Sequence, residues 1–249
     1  MDHEKITAAL GGVENYGKGI TPNPFVPQQK EWERRKKHAK TRQMITDKIV
    51  SMFEPRFITP PETSECIEAI ITMTDSRKIL ELGTHIGFTT LHMLRAVIGK
   101  EGAKVVSVDC RPAHDKAFFG KPEFKDVFEH VPDWTPQCLE PMKKRGDCFD
   151  LVFVDSDHSV EHTNAELAAL LSITKPGTIF LFHDCPERQG PFDHPSQKGV
   201  IWTLLHQKIN ESIWRGTVLP TCEQLDCLDA WGPGYPKECN PSLGVFVRR

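Results

Sequence analysis

Two glycines stand where an apolar stretch gives way to a threonine-rich one. Residues 78–90 read KILELGTHIGFTT. Gly83 permits a backbone turn that a side chain would obstruct, and Gly87 lets the following helix pack close to its strand, with free amides facing a ligand. We therefore expect this loop to hold a small polar molecule.

A second apolar stretch, residues 104–108, ends at Asp109. In a parallel sheet, a carboxylate at this place can accept the hydroxyl protons of a ribose. Together with the glycine loop, Asp109 favours an adenosine-type ligand.

Acidic and histidine side chains also follow two later apolar stretches, in the segments Asp155-Ser156-Asp157-His158 and His183-Asp184. A carboxylate that closes a strand as apolar as residues 151–154 is costly to place without a cation, a ligand or a donor, which makes Asp155 a candidate functional residue. Asp157 could equally cap the next helix, and His183 could be a histidine packed at the end of a buried strand.

Apolar strands and helical segments alternate from residue 79 onward. We expect strands at 79–82, 105–108, 151–154 and 179–182, and helices at 89–98 and 163–171. Such alternation predicts an α/β fold with a doubly wound, mostly parallel sheet covered by helices on both faces. Ligand loops then lie at the carboxyl ends of the strands, so Gly83, Asp109, Asp155 and His183 should converge in one cleft.

Residues 81–90 resemble the first motif of class I S-adenosylmethionine-dependent methyltransferases, especially the branch similar to catechol and caffeoyl-CoA O-methyltransferases. Residues 149–159 and 175–184 are similar to the fourth and fifth strands of a bacterial small-molecule methyltransferase family with the same loop. The resemblance covers residues 60–207, with 244–247 as a last strand. It implies a Rossmann-like, seven-stranded sheet and methyl transfer from S-adenosylmethionine to a hydroxyl of a small molecule.

The resemblance also implies which residues bind the methyl donor. They are Glu81, Gly83, Thr84, His85, Gly87, Thr89, Asp109, Asp133, Trp134 and Asp155. Asp133 occupies the place of the family residue that reaches the adenine amino group, although its segment departs from the usual Gly-Asp-Ser form. Trp134 is expected either to stack on the adenine or simply to pack.

Methyl transfer from a sulfonium needs alignment and a deprotonated acceptor, so we expect no serine or cysteine nucleophile. In metal-dependent relatives, residues after the fourth and fifth strands hold a divalent ion, and the matching positions here are Asp155, His183 and Asp184. We favour such an ion, magnesium or manganese, which would lower the pKa of the acceptor hydroxyl. His183 replaces a carboxylate of several relatives. Without a metal, His158 or His183 could take the proton as a general base, and Asp155 remains part of the catalytic set.

The composition is that of an ordinary enzyme with one substantial core: 249 residues, 39% of them hydrophobic, and a formal net charge of −3. No apolar run approaches a bilayer span and residues 1–4 are acidic and polar, so we expect no membrane association and a cytoplasmic location. The eight cysteines show no Cys-x-x-Cys zinc pattern, and we expect reduced thiols.

Residues 1–58 are expected to form an N-terminal arm and a basic helix over 28–53, acting as a helical lid and not as an independent domain. In the resembled family, additions before the first strand commonly cover the cofactor cleft. Nucleic-acid binding is disfavoured, because the helix lacks interleaved aromatic residues. Residues 59–249 then form the S-adenosylmethionine-binding methyltransferase domain, which begins with a helix through residue 71.

Two other classes of enzyme stay open. A metal-dependent glycosyltransferase would use Asp155-Ser156-Asp157 as its metal motif, and an NAD-binding oxidoreductase would use the glycine loop with Asp109. A binding module without activity is a third alternative. The acceptor is not specified by the sequence, although the loop 188–198 is expected to set specificity and the segment 217–242 to form a further wall or a homo-oligomer contact.

Overall fold

The structure, a computed structural model, describes residues 25–52, 61–112, 115–157, 159–183, 214–220 and 242–249. The chain divides into two compact units, Met1–Lys37 and His38–Arg249. Helix α1 (Phe25–Lys37) is the described part of the first unit, and its last turn carries four basic residues. The sheet belongs to the second unit.

The second unit begins with helices α2 (Ala39–Ser51) and α3 (Pro61–Met73). The sequence predicts a single helix over 28–53, but the structure interrupts it at His38, whose φ of −102° and ψ of 21° are not helical. The His38 ring lies against Gly99, where an added Cβ would be 2.3 Å from it. Ile45 and Ile49 of α2 are buried, so this part of the expected lid packs into a core. The lid function of residues 1–58 stays a prediction.

In the described part of the chain, seven strands make one sheet in the order β3-β2-β1-β4-β5-β7-β6. Their bounds are Lys78–Leu82 (β1), Lys104–Val108 (β2), Phe128–Val131 (β3), Phe149–Val154 (β4), Thr174–Phe182 (β5), Trp214–Pro220 (β6) and Ser242–Arg248 (β7). Strands β1 to β5 pair in parallel, whereas β7 pairs antiparallel with both β5 and β6. The expected α/β class with a mostly parallel sheet is confirmed.

Helices cover both faces of this sheet, and the central strands β1, β2 and β4 are accordingly buried on both faces over most of their length. The further helices are α4 (Phe88–Val97), α5 (Lys116–Phe119), α6 (Leu139–Arg145) and α7 (Val160–Leu170). Ile79, Val105, Leu151 and Phe153 of β1, β2 and β4 pack in one core with α2, α3 and α4. Even-numbered apolar residues of the same strands pack in a second core with α6 and α7, joined by Phe149, which precedes a register shift in β4. This alternation is the period of two of a strand buried on both faces.

Strand β6 is not predicted by the sequence. The first four residues of the segment 217–242 belong to it and pair with β7, and the role of this segment as a wall or an oligomer contact stays a prediction. Gly216 and Pro220 give β6 a turn-like composition, and its partner strand lies more than twenty residues later, so no local signal reveals the pairing. The remainder, residues 221–241, lies outside the described residues, as does the expected specificity loop 188–198.

Candidate active site

Four residues just beyond the strand ends continue the sheet as one row. The parallel register joins Leu82 to Val108 and to Val154, and Val154 to Phe182. One step further along each strand stand Asp109, Gly83, Asp155 and His183, in the spatial order β2, β1, β4, β5. Their amides still bond to the neighbouring strands: that of Asp155 donates to the Leu82 carbonyl at 2.8 Å and that of His183 to the Val154 carbonyl at 3.0 Å. The predicted convergence is therefore built into the strand register.

Gly83 is the one position in this row without a side chain, and the structure requires that. Its φ is +99°, and a Cβ added there would lie 2.0 Å from the Asp155 carbonyl oxygen. Its amide donates to the Val108 carbonyl at 2.9 Å. Between two acidic neighbours, Gly83 thus leaves an opening at the edge of the sheet.

Gly87 begins helix α4 with a φ of +84°, and an added Cβ would lie 2.7 Å from the Phe119 ring. His85, between the two glycines, also has a positive φ, of 47°. The loop therefore turns sharply into the start of α4, where the first amides have no partner within the helix, and such helix starts can bind anionic or polar ligands.

Asp109 is bonded to the glycine loop. Its Oδ2 accepts the His85 amide at 2.7 Å, while its Oδ1 accepts the Arg111 amide at 2.9 Å. The carboxylate is half-buried and retains lone pairs beyond these two bonds. It can therefore hold the loop and accept further hydroxyl protons at once.

Glu81 lies beneath the row and is completely buried. Its Oε2 accepts hydrogen bonds from the hydroxyls of Thr90 and Ser107, and its Oε1 has no hydrogen-bond partner among the described residues. Burial, together with the charges of Asp155 and Asp109, raises the pKa of Glu81 to about 8. The carboxyl group is therefore mainly protonated at neutral pH in the unliganded chain.

Asp155 and His183 form a pair at the other end of the row. Asp155 Oδ1 lies 3.2 Å from His183 Nδ1, and both side chains are largely shielded from solvent. The edge of the imidazole also meets the Phe153 ring, with a centroid distance of 6.4 Å. The negative charge of Asp155 beside the ring can stabilise the imidazolium that forms when His183 takes a proton.

Two threonines expected to bind the cofactor have their hydroxyls engaged inside the fold. Thr84 Oγ1 lies 2.5 Å from Ser107 Oγ, and Thr89 Oγ1 lies 3.3 Å from Ser64 Oγ. Both residues are buried, so a ligand could reach either hydroxyl only by displacing these contacts.

Asp133 and Trp134 follow β3, on the far side of β2 from the glycine loop. Asp133 is exposed and its Oδ1 accepts the Trp134 amide at 2.8 Å. The Trp134 side chain is 65% exposed, so the indole is not a core residue of the described structure. An exposed aromatic face at this edge is available for stacking.

Sequence reasoning missed two site residues, Ser107 and Glu166. Ser107 interrupts the apolar strand β2 exactly where the register places it opposite Glu81, so a hydroxyl in mid-strand was the available signal. Glu166 is buried on α7 and accepts hydrogen bonds from Ser156 and His162. Its signal was the spacing of four between His162 and Glu166, which places both on one face of a helix.

Two predicted residues, His158 and Asp184, lie outside the described residues. Within the described ranges, no group of three histidine, cysteine, aspartate or glutamate side chains is placed to hold a metal ion. The metal set predicted from the sequence therefore retains its Asp155–His183 pair, and its third member is not described.

Residues 80–185 match the family model described as a methyltransferase domain. The match includes both the glycine loop and the segment 155–158, so it favours neither the glycosyltransferase nor the oxidoreductase. No curated protein matches the sequence at a significant level. None of the described helices has the length and hydropathy of a membrane span.

Solved structures with the same fold include the O-methyltransferase from Bacillus cereus in complex with SAH, at 17% identity over 84% of this chain and 90% of that chain, with a TM-score of 0.62. Cofactor-bound Rv0187 from MTB is 17% identical over 92% and 98%, with a TM-score of 0.60. The O-methyltransferase TomG from Streptomyces achromogenes, involved in tomaymycin synthesis and solved with SAM, is 13% identical over 100% and 99%, with a TM-score of 0.56. The match over residues 80–185 and the shared fold thus bear out the resemblance to S-adenosylmethionine-dependent methyltransferases.

Proposed function

We propose that the protein transfers a methyl group from S-adenosylmethionine to a hydroxyl of a small molecule. The observation that carries this proposal is the row of Asp109, Gly83, Asp155 and His183 along the carboxyl edge of four adjacent strands. The solved B. cereus and TomG structures hold SAH and SAM. Their fold similarity supports the same class of ligand here.

The donor is assigned to the glycine-loop end of the row. The outward amides after Gly83 and Gly87 face its polar end, Asp109 accepts the ribose hydroxyls, and the exposed Asp133 and Trp134 receive the adenine. Glu81, Thr84, His85, Thr89 and Asp155 complete the donor site. The charges of Asp155 and Asp109 already act on the pKa of the buried Glu81 carboxyl, so a cationic ligand bound beside them should act on it too.

S-adenosylmethionine supplies an activated sulfonium methyl, so the protein has to align the acceptor oxygen and remove its proton. We propose that His183 takes this proton and that the Asp155 carboxylate, 3.2 Å from its Nδ1, stabilises the resulting imidazolium. His158 is a second candidate base. If a divalent ion serves instead, Asp155, His183 and Asp184 would hold it, and it would lower the pKa of the acceptor hydroxyl.

Calorimetric titration with S-adenosylhomocysteine tests the proposal most directly. We expect saturable binding to the wild-type chain, with NAD and UDP-glucose giving none under the same conditions. Binding of NAD in place of S-adenosylhomocysteine would instead support an oxidoreductase, and binding of UDP-glucose would support a glycosyltransferase. A screen of metabolite pools with a labelled methyl donor then identifies the acceptor. A cytoplasmic location and a homo-oligomer remain predictions.

A further inference from the structure

A buried carboxylate on helix α7 joins two loops at the edge of the sheet. Glu166 is completely buried, and its Oε1 accepts hydrogen bonds from Ser156 Oγ at 2.6 Å, from His162 Nε2 at 3.0 Å and from the Thr135 hydroxyl. Its Oε2 is buried and has no hydrogen-bond partner in the described part of the chain. Burying a carboxylate with one unsatisfied oxygen costs free energy, so this arrangement needs a reason beyond stability.

The hydrogen bonds are directional and involve three separate chain segments. A carboxylate oxygen only accepts, so His162 Nε2 carries the proton, and the Thr135 oxygen, 2.8 Å from the same nitrogen, can share it. The hydrogen bond to Glu166 raises the pKa of His162. All three contacts are therefore donated to the carboxylate, and the charge of an ionised acceptor strengthens them relative to neutral hydrogen bonds.

The two hydroxyl donors stand next to residues assigned to the ligand. Ser156 directly follows Asp155, and Thr135 directly follows Asp133 and Trp134. Strands β3 and β4 are separated in the sheet by β2 and β1, so the turns after them flank the glycine loop on opposite sides. Glu166 thus connects the two walls of the same cleft.

We propose that Glu166 is a positioning residue that fixes the turn after β3 and the turn after β4 relative to each other, and so sets the width of the donor cleft. The inference rests on the proposed function, because the ligand between the two turns is the methyl donor. The hydroxyls of Thr135 and Ser156 tie their two turns to the Glu166 carboxylate, and His162, one helical turn before Glu166 on α7, holds that carboxylate in place.

The experiment measures S-adenosylhomocysteine affinity by calorimetry in matched pairs of variants. Thr135→Val and Ser156→Ala each remove one hydroxyl, Thr135→Ser and Ser156→Thr each retain it, and Glu166→Gln removes the charge that both hydroxyls share. Glu68→Gln is the control, because Glu68 is also a shielded carboxylate with several donors, bound by Arg95 at 2.6 Å and His92 at 3.3 Å between α3 and α4.

We expect Thr135→Val, Ser156→Ala and Glu166→Gln to weaken binding by about tenfold each, as for a lost hydrogen bond to a charged group. The hydroxyl-retaining variants and Glu68→Gln should bind as the wild type does, even where melting shows that Glu68→Gln is less stable. If Glu166→Gln does not fold, the Thr135 and Ser156 pairs decide alone.

Wild-type affinity in Thr135→Val and Ser156→Ala would overturn the positioning role while leaving the donor site intact. Equal losses in the hydroxyl-retaining and hydroxyl-lacking variants would also overturn it, because side-chain size and not the hydrogen bond would then be responsible. Failure of the wild type itself to bind S-adenosylhomocysteine would refute the proposed function, which is a separate result.

Discussion

The backbone amide of His85 donates a hydrogen bond to the carboxylate of Asp109 at 2.7 Å. This bond joins the glycine loop after β1 to the residue that closes β2, across 24 positions of sequence. His85 can present its amide in this direction because its φ is +47°, in the left-handed region. Asp109 therefore organises the loop in addition to any contact with a ribose.

Replacing Asp109 separates these two functions. Asp109→Ala removes both the loop acceptor and the ribose acceptor, and we expect S-adenosylhomocysteine binding to weaken by about 10- to 100-fold. Asp109→Asn keeps an acceptor oxygen for the His85 amide and should lose less. Asp126→Asn, at an exposed carboxylate, is the calorimetric control. Unchanged affinity in Asp109→Ala would remove Asp109 from the site.

Gly83→Ala tests the close approach of β1 and β4. The added Cβ would lie 2.0 Å from the Asp155 carbonyl oxygen and would force a side chain into a φ of +99°, so we expect a loss of more than about 3 kcal/mol in the free energy of unfolding. Gly102→Ala is the matched control, because Gly102 also has a positive φ, +68°, but nothing within 4 Å of the added atom. It should cost about 1 to 2 kcal/mol.

Urea denaturation of both glycine variants measures this difference. Equal losses in the two would mean that the backbone angle alone matters and that β4 can yield to the new methyl group.

Glu81 predicts an unusual dependence of stability on pH. Its pKa is raised from 4.5 to about 8 in the folded chain, because burial and the charges of Asp155 and Asp109 disfavour ionisation. The folded chain therefore holds the Glu81 proton more tightly than the unfolded chain does, and this proton contributes to the free energy of unfolding. The contribution is fully present below pH 4.5 and is lost as pH rises towards 8, at about 1.4 kcal/mol per pH unit. Glu81→Gln removes this loss, so the variant should gain a few kcal/mol on the wild type between pH 5 and pH 8.

Urea denaturation of wild type and Glu81→Gln at pH 5, 6.5 and 8 provides the measurement. Parallel stability curves for the two proteins would show that Glu81 is ionised in the folded chain. Thr90→Val removes a hydrogen bond that favours the ionised carboxylate, so it should raise the pKa of Glu81 further. The fall in stability should then extend to higher pH than in the wild type.

A ligand-linked proton follows from the same group. A cationic methyl donor beside Glu81 should favour the ionised carboxyl, so binding of S-adenosylmethionine at pH 7 should release protons. Calorimetry in two buffers with different ionisation enthalpies detects this release. Glu81→Gln should abolish the buffer dependence, and a buffer dependence that persists in that variant would assign the proton to another group.

The sequence predicted the row at the strand ends because it depends on simple features: strands too apolar to be exposed, and a polar residue directly after each. Asp109, Asp155 and His183 could be recognised in this way without knowing any contact. Glu166 and strand β6 could not. Glu166 lies within a helix and takes its meaning from hydroxyls that are contributed by two distant turns. Strand β6 has a composition resembling a turn and is paired only by a distant segment.

Chelation decides how the acceptor proton is removed. With the Asp155 carboxylate 3.2 Å from the His183 imidazole, we expect turnover to survive exhaustive treatment with EDTA and to fall by about 10²- to 10⁴-fold in His183→Ala, the range for loss of a general base. Asp155→Asn should lower turnover because it removes the charge that stabilises the imidazolium, while S-adenosylhomocysteine affinity in His183→Ala stays near that of the wild type. Turnover is measured with the acceptor found by the labelled-donor screen. Loss of activity on chelation, restored by Mn²⁺ or Mg²⁺ but not in Asp184→Ala, would replace the histidine base with an ion held by Asp155, His183 and Asp184.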